Sequence, residues 1–428
     1  MKYFFEKGLK ILKDQGIFSF ICSNKFAKAQ YGEKLRKLIL KNQLKIFNDF
    51  TGINVFKEAS VDTCVIQIKK DYIENNEVFV DDNYFMKQNR LDSNSFIFNS
   101  PEVLNLRDKI FNEGTMIKDL DIEINRGILT GFNEAFIIDE DTKNRLIRED
   151  SNNKEIIKPL LRGRDINKWK VMYKNLYLIH SVDGLDTKNK YPSIYQFLSH
   201  YQEKLEKRYD KGKNWYNLRA CKYDDLFEKE KIIYREISSE PNFTFDSSNY
   251  FLGNTAYIIN SDSINLKYIL GLLNSNVLFW TFKQICYNLG KTGFRFIKIF
   301  VEQLPIKINE NYEKEVIDIV DEILEINHKI IHYELNLFIY LDENLGIIDI
   351  SKKLESFYLL NEKQFLKEIK NKTKNFDVKE LLSIFNLSKN EILTLNNEFK
   401  IKNNKLNQIV YNIYKLDDGE IKIIEENI

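Results

Sequence analysis

Between residues 115 and 306 the chain is cut into short apolar runs of strand length, among them 135–138, 176–180, 232–237 and 255–259. Runs this short, separated by turn-forming residues, predict a mixed α/β or mostly β domain. A helical stretch over 266–274 interrupts the series, and KTGFRFIKIFVEQLPI closes it at Pro305. The pattern then changes period. Val316, Val320, Ile323 and Ile330 lie on one helical stripe and predict a helix over 313–337, with further helices after it. Upstream, Phe5, Leu9 and Leu12 mark a helix over 2–14, and 17–22 is a continuous apolar run of buried-strand type. A second helix follows Gly32, with Leu35, Leu38 and Ile39 inward and Lys34, Arg36 and Lys37 outward. Strands are expected at 43–47 and 63–68, and the polar stretch 72–110, with DDNYFMKQNRLDSNS, reads as a linker. The expected organisation is α/β (α+β): residues 1–75, a linker over 76–114, a domain over 115–310 and a helical module over 311–428.

A chain of 428 residues implies two or three domains. Its 43% hydrophobic and 13% aromatic content argues against extensive disorder. No apolar run approaches the roughly 18 residues of a membrane span, so no membrane association is expected. Cys22, Cys64, Cys221 and Cys286 stand far apart, without the spacing of a disulfide framework or zinc knuckle. A cytoplasmic protein is the plain reading.

The net charge of +1 conceals an uneven distribution: residues 1–310 carry +7 and residues 311–428 carry −6. All 12 arginines lie at or before Arg295. Arginine's planar fork suits phosphates and guanine edges better than lysine does, although an AT-rich genome would also leave arginine scarce.

Three basic turns are the candidate contact sites. In RGILTGFNEAFIID (126–139), Arg126, Thr130 and Asn133 are residue types that bond phosphates or base edges. Gly127 and Gly131 permit positive φ and close approach of backbone to a ligand; the alternative is a hairpin turn that uses Gly and Asn for conformation alone. In PLLRGRD (159–165), Arg162 and Arg164 straddle a glycine; the alternative is a surface turn with a local Arg164–Asp165 pair. In KTGFRF (291–296), Lys291, Thr292 and Arg295 form a basic–aromatic turn, unless Phe294 and Phe296 are simply core. The aromatics of WYNLR (215–219) and YRE (234–236) read as core, Ser23-Asn24-Lys25 as a plain loop, and His328 with His332 as a solvated helix face without a third metal ligand.

These segments resemble TaqI-like adenine-N6 DNA methyltransferases and the related type IIG restriction–modification enzymes. The stretches at 126–139 and 159–165 resemble the opening of their target-recognition domain. KGLKILKDQGIFSFICSNKFAKAQYGEKLRKLI and VFKEASVDTCVIQIKK resemble the part of the methyltransferase that follows its catalytic Asn-Pro-Pro-Tyr motif. KLESFYLLNEKQFLKEIK and LNQIVYNIYKLDDGEIKIIEENI resemble the C-terminal helical region. The resemblance implies a partial Rossmann-like methyltransferase end, a mixed α/β target-recognition domain and an α-helical module, with double-stranded DNA as partner. Arg126, Thr130, Asn133, Arg162, Arg164, Lys291, Thr292 and Arg295 are then the candidate DNA contacts.

Adenine methylation also needs a glycine-rich turn for S-adenosylmethionine and an Asn-Pro-Pro-Tyr-type motif to hold the flipped base. The five prolines include no adjacent pair, and no glycine-rich cofactor turn precedes a helix near Met1. No catalytic or metal-binding residue is therefore assigned. S-adenosylmethionine is expected only with a missing N-terminal half. The expected function is sequence-specific DNA recognition within an adenine-specific methyltransferase. The alternatives are a split enzyme completed by a separate catalytic chain, or an inactive remnant.

Overall fold

The computed structural model describes residues 1–53, 55–56, 61–93, 96–286, 293–373 and 376–428. Its contacts divide into two compact units, Met1–Asn112 and Glu113–Ile428.

In the first unit, Phe5 and Leu9 bury one face of the helix Lys2–Ile11, and the Phe5 ring meets Phe18 and Phe20 edge-on at 5.3 and 5.5 Å. Strand β1 (Ile17–Ser23) follows, then the helix Glu33–Leu40, β2 (Gln43–Asp49), β3 (Thr63–Lys69), β4 (Glu77–Val80) and β5 (Tyr84–Lys87). Across the sheet the order is β1-β3-β2-β4-β5, antiparallel throughout except for the parallel β2–β4 pair. Strand β1 has no second strand neighbour among the described residues, and its Ile17 and Ile21 stay 56% and 40% exposed.

Two expectations for this unit need correction. Arg36 does not face outward: it is fully buried, donating from Nε to Ser93 O at 2.7 Å and from Nη1 to Phe26 O and to Ala29 O. Nor is 76–114 a linker, since it supplies β4, β5 and the helix Pro101–Glu113, and Val78, Val80 and Met86 are core. Its polar residues misled because two of them act as backbone substitutes. Asn76 Nδ2 donates to Leu44 O at 2.6 Å, and Gln88 Oε1 accepts the Leu44 N–H at 2.7 Å. Buried amides bonded in this way incur no desolvation penalty.

The second unit opens with two four-stranded sheets. One runs Phe251–Leu252, Ile157–Leu161, Leu176–Ile179, Ile137–Ile138; the other runs Thr244–Asp246, Lys231–Arg235, Ala256–Asn260, Glu123–Arg126. The expected strands at 176–180, 232–237 and 255–259 are thus present within a residue or two. The run 135–138 is not one strand: its first half belongs to a helical turn, Asn133–Phe136, and only Ile137–Ile138 pairs. The second sheet holds a fully buried ion pair, Lys231 Nζ to Asp246 Oδ2 at 2.7 Å, whose carboxylate also accepts the N–H groups of Ser248 and Tyr250.

Helix Leu266–Leu273 is capped by Asn265 and carries Gly271, where a Cβ would lie 2.8 Å from Val316. That glycine admits the helix Glu310–Leu345, which buries Val316, Val320, Ile323 and Ile330 and stops at Gly346 in the left-handed conformation. At 36 residues it is longer than the sequence pattern indicated, about 54 Å at 1.5 Å per residue. The equally long Val378–Ile413 packs along it. Tyr414 ties this helical part to the short strand Pro305–Ile306, its hydroxyl donating to Pro305 O at 2.5 Å. No described helix is long and apolar enough to cross a membrane.

Candidate nucleic-acid interface

The strands Glu123–Arg126, Lys231–Arg235, Ile157–Leu161 and Phe251–Leu252 all end beside the loop Gly253-Asn254-Thr255. Gly127 N donates to Ala256 O, Gly253 N to Leu161 O, Gly163 N to Thr255 Oγ1 and Glu236 N to Thr255 O, at 2.9 to 3.1 Å. Two glycines of the basic turns are required by this convergence. A Cβ on Gly127 would sit 2.2 Å from Gly253 O, and one on Gly163 would sit 2.6 Å from Thr255 O. The close approach served by Gly127 is therefore to the chain's own loop, not to a ligand. Gly131 alone of the three has positive φ, 68°.

A cleft of roughly 600 Å³ opens over this loop. Ile128, Ile137, Leu160 and Leu178 contribute apolar wall, and Arg126, Arg162, Arg164 and Arg235 are the cations. Among the described residues Glu236 is the one carboxylate lining it, so that lining carries a net of three positive charges. Thr130 and Asn133 line it too, which brings five of the eight sequence-derived candidates together. Lys291 and Thr292 lie outside the described residues.

Glu236 organises one side. Although 8% exposed, its carboxylate receives Arg126 Nη2 at 2.5 Å and Arg295 Nε and Nη2 at 2.8 and 2.7 Å. Arg126 also donates to Asn254 O at 2.6 Å and lies 5.7 Å over the Tyr257 ring. Arg295 thus joins the cleft cluster through Glu236 and does not itself line the cleft. The flanking Phe296 is core, stacked on Phe282 at 4.1 Å.

On the other side, Arg162 grips Asp165 with Nε and Nη2, both at 2.9 Å, while Asp165 also accepts the Arg162 backbone N–H. The local Arg164–Asp165 pair of the alternative reading does not form; Asp165 takes Arg162 instead. Arg164 is exposed and has no bond to any described residue. Arg235 donates to Ser238 Oγ at 3.0 Å and more weakly to Asn167, and burial pulls its guanidinium below its usual pKa. Nearby, burial takes the Lys168 amine down to about 8, with Glu240 opposing.

Thr130 is a structural member of the site. It is buried, its hydroxyl donates to Asn133 Oδ1 at 2.5 Å, and its carbonyl accepts Arg208 Nη1 at 2.5 Å. Asn133 is exposed, and its Nδ2 has no partner among the described residues. Arg208, Arg235 and Glu236 were not singled out from the sequence. Arg208 is a core guanidinium bonded to three carbonyl groups besides its own helix, and its pKa is lowered by burial to about 10. Only Tyr234-Arg-Glu236 had drawn notice, for an aromatic that is indeed fully buried. Among the described residues no group of His, Cys, Asp and Glu is placed to hold a metal ion. Lys25 is exposed on the other unit, and His332 bonds Asn336.

Comparison with known proteins adds independent findings. Residues 158–306 match the TaqI-like C-terminal specificity domain, residues 1–56 the Eco57I restriction-modification methylase, and residues 309–410 a domain of unknown function (DUF8810). The turns at 159–165 and 291–296 fall within the first match, and the turn at 126–139 lies upstream of it. The type II methyltransferase M.BstVI of Geobacillus stearothermophilus is 21% identical over 316 residues, 64% of this chain and 55% of that protein. The type II methyltransferase M.BanIII of Aneurinibacillus aneurinilyticus is 28% identical over 233 residues, 50% of this chain and 39% of that protein. The chain thus spans about half, or less, of the length of these relatives. In fold it is similar to the type IIL restriction–modification enzyme MmeI, solved in complex with DNA, with a TM-score of 0.53 at 13% identity over 100% of this chain and 50% of that one. The resemblance read from the sequence therefore holds: this chain is a relative of the type II DNA methyltransferases, with a TaqI-like specificity segment at 158–306 behind an Eco57I-like methylase segment at 1–56.

Proposed function

We propose that residues 115–310 recognise duplex DNA for an adenine-specific methyltransferase of a restriction–modification system, through the arginine cleft. The observation that carries this reading is the charge imbalance of the cleft. Four arginines line it against one carboxylate, in a chain whose overall charge is only +1. Arginines gathered in excess of their carboxylates at a surface cleft are suited to phosphates and base edges. Phosphate contacts supply affinity and its salt dependence; base contacts supply sequence preference. Arg162→Ala and Arg164→Ala each weaken binding of a labelled duplex at low salt, and the difference shrinks as salt is raised. Binding unchanged at low salt in both variants overturns the assignment.

The methyltransferase relatives imply S-adenosylmethionine as the methyl donor of the family. The first unit does not fit that group: β1 runs directly into the short 3-10 turn Asn24–Ala27, which contains no glycine. The donor and the base-flipping motif then belong to another segment or another chain.

The edge of β1, unpaired among the described residues, is where the rest of a methyltransferase sheet would add, from the same protein or, in the split-enzyme reading, from a separate chain. An unpaired strand edge with exposed Ile17 and Ile21, beside exposed Phe4 and Ile11, is a template for a further strand. Ile21→Asp on that edge abolishes co-purification with a chain carrying the cofactor turn and Asn-Pro-Pro-Tyr motif; retention of the pair contradicts it.

A further inference from the structure

We propose that Arg164 is the base-reading side chain of the cleft and that the base it reads is guanine; this rests on the DNA-recognition reading above. Bidentate recognition of guanine O6 and N7 requires two parallel N–H groups of one guanidinium, free and correctly presented. The arginines around Arg164 are each held by partners. Arg162 gives Nε and Nη2 to Asp165, Arg126 gives them to Asn254 O and Glu236, and Arg295 gives both to Glu236. Arg235 commits Nη1 and Nη2 to Asn167 and Ser238, and its Nε is buried. Arg126, Arg162 and Arg295 keep an Nη1–Nη2 end, but their partners fix its orientation, and it cannot be turned toward a base without breaking those bonds.

Arg164 differs in both respects. Its guanidinium bonds nothing among the described residues, and the backbone beneath it is fixed. It sits in the middle of the turn Gly163–Asp165, where Asp165 Oδ2 accepts the Arg162 N–H, Asp165 N donates to Arg162 O and Gly163 N donates to Thr255 Oγ1. Gly163 meets Thr255 too closely for any larger residue. The Arg162–Asp165 fork therefore serves as a brace for its neighbour. A rigid base under an open fork loses less entropy on binding than a floppy one.

The experiment uses the full chain and a duplex library with a randomised centre, comparing wild type, Arg164→Lys and Arg126→Lys. Lysine keeps the charge and loses the fork. The expected result is that Arg164→Lys loses the preference for one G·C pair in the enriched sequences, by roughly tenfold or more. Its affinity for unselected duplex and its salt slope stay at the wild-type value. Arg126→Lys keeps the preference. Enrichment of the same G·C pair by Arg164→Lys overturns the inference, since a phosphate contact needs only the charge that lysine keeps. Failure of the wild-type chain to retain any duplex is a separate outcome: it defeats the recognition reading, and this inference with it.

Discussion

Along the paired long helices, each of several lysines is matched by a carboxylate: Lys402 with Glu322 at 2.6 Å, Lys405 with Glu315 at 2.9 Å, Lys314 with Asp318 at 2.8 Å. Around the cleft, Arg126, Arg162, Arg164, Arg235 and Arg295 share two carboxylates, Glu236 and Asp165. The helical pairs are exposed and neutralise themselves, each contributing about 0–1 kcal/mol. The cleft is left short of anions. Self-satisfied charge describes a solvated surface; positive charge held in place by buried carboxylates, yet in excess of them, describes a surface awaiting an anion.

The largest effect expected is at the glycine on which the cleft is built. Gly127→Ala forces a Cβ against two carbonyl oxygens, at 2.2 Å from Gly253 O and 2.6 Å from Leu252 O. Overpacking of this kind costs about 1–3 kcal/mol or more, so urea unfolding shows that loss together with weaker duplex binding. A stability change under about 0.5 kcal/mol removes the convergence argument. Glu236→Gln is next. Neutralising the shared carboxylate raises the net charge of the lining by one, so non-specific duplex binding tightens several-fold and the salt slope steepens by about one; an unchanged slope means the cleft does not face DNA.

Lys168 gives a smaller, pH-dependent effect. Its folded pKa of about 8 lies below the usual lysine value near 10.4, so the fold penalises the charged form. That penalty is fully present below pH 8 and is relieved as pH rises from 8 toward 10.4. Lys168→Met is therefore more stable than wild type at pH 7, with a gap that narrows above pH 8; a gap constant with pH contradicts the assignment. Smallest is Lys405→Ala on the helical pair, with stability within about 0.5 kcal/mol and duplex binding unchanged. A marked loss of binding there breaks the contrast between the two regions.

The sequence made one face of the site legible and not the other. Arg126, Thr130, Asn133, Arg162 and Arg164 were accessible because glycines and residue types clustered locally, and the structure brings them to one cleft. Glu236 and the loop Gly253–Thr255 were not, since they reach the cleft across more than a hundred residues by strand pairing that no local pattern encodes. Arginine's concentration before Arg295 was a mixed signal: Arg36 and Arg208 are buried and bond backbone carbonyls. In the first unit, strands β4 and β5 were hidden because Asn76 and Gln88, polar in sequence, replace backbone partners within the sheet. Helix periodicity was the most dependable guide, and the long helix differed mainly at its ends.

The central claim is that the cleft presents excess positive charge to duplex DNA. It is tested most directly by titrating the full chain with a labelled duplex over a series of salt concentrations. With three net positive charges in the lining, log Kobs falls with log salt at a slope of about −3, and Arg126→Ala with Arg164→Ala brings it to about −1. A wild-type slope near zero, or no binding at low salt, contradicts the account.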